Sequence, residues 1–83
     1  MDETHRNYLR DLGYLIREAA VDAKRQASAT RGSEGGAFEV GRLQAYHEVV
    51  SLMLSQATSF KLAPEDLSLE DFAPDSDLLG DDG

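Results

Sequence analysis

Apolar residues recur from Phe38 to Phe60 (FEVGRLQAYHEVVSLMLSQATSF) with no proline among them, and at 100° per residue they occupy well over half the circumference of a helix. One stripe holds Phe38, Gly41, Ala45, Val49 and Leu52; a bulkier one beside it holds Leu43, Tyr46, Val50, Met53, Leu54, Ala57 and Phe60. One neighbour cannot cover so wide an arc, so the stretch is expected to be a central helix with two partners. Gln44, Glu48, Ser51 and Ser55 make the remaining polar strip, with His47 on its border.

A second helical pattern precedes it. It starts near Asp2, whose side chain, with that of Glu3 or Thr4, can satisfy free amides, and it runs to about Ala29. Tyr8, Leu9, Leu12, Leu15, Ile16, Ala19, Ala20, Ala23 and Ala27 share one arc, large side chains first and only alanines later. Gly13 costs such a helix roughly 1 kcal/mol relative to alanine, so it is either tolerated or marks a close contact. Thr30 to Gly36 (TRGSEGG) has no apolar residue and reads as a turn. Helices over 3–29 and 37–60 then make an antiparallel hairpin. In that hairpin the alanine end of the first helix lies against Gly41 and Ala45, and Leu9, Leu12 and Ile16 meet Leu52. The expected core is Leu9, Leu12, Ile16, Ala19, Ala23, Gly41, Ala45, Val49, Leu52, Met53 and Phe60.

Pro64 suits the first turn of a short helix over about 64–73, with Glu65 and Asp66 where the helix dipole favours acids. Leu62, Leu67, Leu69 and Phe72 could fold back over part of the bulky stripe. Pro74 is expected to end any helix near Ala73. That leaves 74–83 as a frayed acidic tail beyond a single helical domain, 1–73. The fold class is therefore all-α, an antiparallel hairpin plus a short C-terminal helical segment. If Tyr46, Val50, Met53 and Ala57 stay uncovered, two hairpins can pack through them as a four-helix bundle.

A chain of 83 residues makes one domain with a modest core, so marginal stability or oligomerisation is expected. The absence of cysteine excludes a disulfide scaffold and a thiolate metal site, and it fits the cytoplasm. The N-terminus has no basic region followed by an apolar one, and no segment is long and apolar enough to span a bilayer, so a soluble, unprocessed protein is expected. The formal charge of -8 is unevenly placed: residues 1–36 balance, 37–60 contribute -1, and 61–83 contribute -7.

Candidate chemistry is sparse. His47-Glu48 starts like a zinc-binding helix motif, but the second histidine is replaced by Ser51. Asp75, Asp77 and Gly80 fall at calcium-loop positions, yet Leu79 takes a ligand position and the closing glutamate is missing. Ser51, Ser55 and Ser59 repeat at helical spacing with no orienting acid or oxyanion-hole motif. No metal, cofactor or enzymatic activity is expected. Arg10, Arg17 and Lys24 recur every seven residues, but Asp11, Glu18 and Asp22 beside them make this a mixed-charge solvent face, not a nucleic-acid stripe. Tyr14 and Val21 lie off the core arc and hint at a contact surface.

The segment FEVGRLQAYHEVVSLMLSQATSFKLAPEDLSLEDF, within a likeness covering about residues 38–79, resembles small bacterial proteins of the immunity or antitoxin kind. The likeness is one of overall style and transfers no binding residue. It implies inhibition of a cognate toxin by one-to-one association. The residues themselves point to a non-enzymatic binder whose carboxylates attract a basic protein and occupy a groove meant for phosphates, as in a nuclease; the resemblance implies that the basic partner is a toxin. The expected contact runs from Glu65 to Asp82, with Glu65, Asp66, Glu70 and Asp71 supplying charge and Leu69 and Phe72 apolar anchorage. The alternative is an oligomeric helical adaptor or regulatory subunit using the bulky stripe.

Overall fold

The computed structural model describes residues 2–80, and every described element is helical. Helix α1 spans Glu3–Ala29 and α2 spans Gly36–Ser59; a 3-10 turn, Pro64–Leu67, and a short helix α3, Pro74–Leu79, complete the chain. Asp2 caps α1 as expected, its carboxylate accepting from the His5 amide at 3.0 Å. That bond, with the His5 ring 2.7 Å away, holds the Asp2 carboxyl below its ordinary value of 3.8.

The turn between the long helices uses its glycines as the pattern implied. Gly32 and Gly35 adopt φ of 78° and 89°, a left-handed conformation that costs glycine almost nothing. At the far end, α2 stops without a glycine. The Leu62 amide donates to Ala57 O at 2.7 Å and the Lys61 amide to Thr58 O at 3.1 Å, a Schellman closure in which Lys61 itself takes φ of 60°.

From Leu62 the chain returns along one side of the hairpin as a strap. Leu67, Leu69 and Leu78 are buried against Ala20, Ala23 and Ala27 of α1 and Leu43, Val50 and Ala57 of α2. Gly13 is the point of closest approach. A side-chain carbon there would collide with the backbone carbonyl of Leu67, so of the two readings of this glycine the close contact holds: it admits the strap against α1.

Three expectations need correction. First, α2 is rotated relative to the expected hairpin: its bulky stripe, apart from Phe60 at its end, faces the interior in place of the small one. Gly41, Ala45, Val49, Leu52 and Phe60 are exposed, as is Leu12 on α1, and a carbon added at Gly41 would meet nothing. The physical reason is complementarity: the alanines of α1 leave room for Leu43 and Val50, and packing large against small buries more area than small against small. Second, the segment over 64–73 is one 3-10 turn followed by an irregular stretch with Ser68 and Asp71 at positive φ. Third, Pro74 begins a helix where it was expected to end one; its missing amide suits a first turn. Leu78 of α3 is fully buried, so the described part of the expected tail belongs to the helical body. Residues 81–83 lie outside the described residues.

Candidate partner-binding face

The acidic segment is largely engaged within its own chain. Arg17 donates from Nη1 to Ser68 O and Glu70 O, both at 3.0 Å, and its guanidinium stacks 5.0 Å from the centre of the Phe72 ring. Lys24 donates to Leu78 O at 3.3 Å and to Gly80 O, and the Ser68 hydroxyl donates to Arg10 O at 2.9 Å. The heptad of Arg10, Arg17 and Lys24 is thus neither a phosphate stripe nor a bare solvent face. Arg17 and Lys24 are the clasp that holds the strap, using charged donors on carbonyls, which are stronger than neutral pairs, while Arg10 contributes only its backbone carbonyl.

Among the residues expected to meet a partner, Leu69 is 1% exposed and forms core, so it cannot anchor another molecule while the strap is docked. Phe72 is half-buried beneath Arg17. Asp66 accepts from the Ala63 amide at 2.9 Å, and Asp77 does the same for Ala73 at 2.7 Å; both hold their own turns. Glu65, Glu70 and Asp71 point to solvent. The self-association set fares likewise: Val50 and Ala57 are interior, and Tyr46 and Met53 pack against the core.

His47 lies 2.6 Å from Asp75, linking α2 to the start of α3. Among the described residues no group of three histidine, cysteine or acidic side chains could hold a metal ion. Tyr14 and Val21 are exposed as expected. Tyr14 and Tyr8 border a shallow recess of mixed character with Asn7, Arg10, Asp11 and Ser68.

The side of the hairpin away from the strap's clasp is different. Leu15 of α1 is 56% exposed, and Leu52 and Phe60 of α2 are 62% and 73% exposed; Tyr8, Leu12 and Val49 join them on the surface. Between the helices runs a trough of about 360 Å³, walled by Leu12, Ile16, Val49 and Leu52, floored by Ala57 and Leu67, with Gln56 its single polar lining residue. Single exposed apolar residues are ordinary, but a contiguous face of this kind marks an interaction site. No protein family, curated protein or solved structure matches the chain.

Acids border this face. Asp11 and Glu18 sit four residues before and three after Leu15, which makes them its neighbours on α1; Glu48 sits four before Leu52 on α2. All three are exposed and have no ion-pair partner among the described residues. Nearby Asp22 is neutralised by Arg25 at 3.4 Å and Arg42 at 3.5 Å. Sequence reasoning placed Leu12, Val49, Leu52 and Phe60 in the core and so missed the face. The signal that could have revealed it was the width of the apolar arc on α2, too wide for the partners one short chain supplies.

Proposed function

We propose that the protein is a non-enzymatic binding protein that takes a basic protein partner on the open face of its hairpin, in the manner of an inhibitor or immunity protein for a basic toxin or nuclease. The observation that carries this is the apolar trough bordered by unpaired carboxylates. Apolar side chains supply the anchorage that charge does not. The chain's net charge of -8 steers a basic surface toward the face and raises the association rate. In this reading the strap acids, Glu65, Glu70 and Asp71, contribute long-range attraction and no anchor. The absence of cysteine suits work in the cytoplasm. No described helix is long and apolar enough to cross a membrane.

An oligomeric adaptor would use the same face. A second copy, however, brings the same acids against Asp11, Glu18 and Glu48, which opposes it. The test is capture from source-cell lysate with tagged wild type and with Leu15→Ser and Leu52→Ser, at low and high salt. The expected result is a basic protein retained by wild type at low salt, lost with either variant, and forming a one-to-one complex when purified. Equal retention by wild type and variants would overturn this reading.

A further inference from the structure

Resting on that reading, we infer that the trough receives a single amphipathic α-helix of the partner, about three turns long, with basic side chains along both margins of its apolar stripe. Its walls are themselves helices, whose amides and carbonyls are satisfied internally. They offer no row of free backbone groups to an extended segment, so strand addition has nothing to pair with. A helix arrives with its own backbone satisfied and needs only apolar contact, which the trough supplies. From Val49 to Phe60 the α2 wall is about 16 Å long at 1.5 Å per residue, which sets the length of the incoming helix.

Charge decides between occupants. Asp11 and Glu18 are seven residues apart, two turns along one margin, and Glu48 stands on the other. Arg42 at the loop end is already paired with Asp22 and Glu39. Lys61, Arg6 and His5 stand at the open end, Arg6 close to Leu9 and Leu62 of the trough lining, and His5 is paired with Asp2. The lining of the trough is itself uncharged, and the acids on its border are Asp11 beside Leu15 and, at its loop end, Glu18 and Glu48. An incoming helix with lysine or arginine two turns apart on one side and once on the other complements them; a second copy of this chain does not.

The probe is a labelled synthetic helix of about 15 residues with leucine along one stripe and lysine on both flanks, read by fluorescence anisotropy against the full chain. A second peptide carries glutamate on the flanks. Two charge-matched variants, Asp11→Asn/Glu18→Gln/Glu48→Gln at the trough and Glu65→Gln/Glu70→Gln/Asp71→Asn on the strap, separate local complementarity from overall attraction. Leu52→Ser, at an exposed position, tests anchorage without touching the core, and circular dichroism confirms that each variant is folded. The expected result is binding of the lysine-flanked helix, at least tenfold weaker binding of the glutamate-flanked one, at least tenfold loss with Leu52→Ser, and a larger loss for the trough than for the strap variant. Equal loss for the two charge variants, or no effect of Leu52→Ser, overturns the inference. So does a dimer at physiological salt that Leu52→Ser dissolves, which would assign the trough to a second copy. Failure of the peptide while capture of a basic protein still depends on Leu15 and Leu52 removes the helical occupant and leaves the proposed function standing. Failure of both experiments removes both.

Discussion

Gly13 shows how a single residue can set the tertiary arrangement. Replacing it with alanine should favour the isolated helix by about 1 kcal/mol. In the folded chain the new carbon meets the Leu67 carbonyl, and backbone cannot move aside as a side-chain end can. Gly13→Ala is therefore expected to lower stability by roughly 2 kcal/mol in urea denaturation, with loss of amide protection in the strap; a more stable protein would show that the strap does not rest there. Lys61 makes the opposite case. Its left-handed backbone costs a residue with a side chain about 1 kcal/mol or more, so Lys61→Gly should stabilise by roughly that amount. At Asp2 the folded carboxyl titrates below 3.8. Its contribution is present above that value and is lost as pH falls through the lowered one, so fraying of the first turn of α1 should begin below about pH 4. Some of this was legible: the Asp2 cap and the turn glycines follow from local chemistry alone. For Gly13 a close contact was one of two open readings, and neither the choice nor its partner Leu67 follows locally, because a glycine has the same local cost whether or not another chain segment presses on it.

The two long helices were readable almost to the residue, since the Asp2 cap, the glycine turn and the end of the apolar period at Phe60 mark their limits. Their mutual rotation was not. A helix with so wide an apolar arc fits a partner in several orientations, and only the strap's leucines decide which one closes a core. The substitution that separates the orientations is Ala45→Leu, which the expected hairpin would overpack and which the observed one leaves in solvent. It should change stability by less than about 0.5 kcal/mol. Ala23→Leu, at a fully buried position, should cost about 1–3 kcal/mol. α3 was illegible for a related reason. A helix of six residues is too short to persist alone, and it is ordered by the burial of Leu78 and by the bonds from Lys24. Arg17 does the same for the middle of the strap with two carbonyl bonds and a stacked ring. Arg17→Ala should loosen residues 68–72 in hydrogen exchange, and lysine should restore them only in part, because an ammonium can reach the carbonyls but has no flat face to stack on the Phe72 ring.

At the scale of the whole molecule, the chain is an elongated body of 47 × 20 × 18 Å with two unlike sides. On one, basic residues of α1 clasp an acidic strap; on the other, a trough between the helices lies open with acids on its margins. The charge asymmetry along the sequence was plain, but its meaning was not, since composition does not tell whether an acidic segment seeks a partner or folds onto its own helix. Salt separates the remaining alternatives by sign. Association with a basic partner should weaken as salt rises. Any self-association through the trough should strengthen, because raising ionic strength to 1 M shortens the screening length to about 3 Å and removes the repulsion between like margins. Light scattering at micromolar concentration should report a monomer at physiological salt.

The central claim is that partners meet the trough and not the acidic strap. Its most direct test is amide chemical-shift mapping of the folded chain during titration with the lysine-flanked helix. The account predicts saturable shifts concentrated at Leu12, Leu15, Val49, Leu52 and Phe60, with residues 65–71 little changed. Shifts confined to Glu65, Glu70 and Asp71, with the trough residues unmoved, would contradict it.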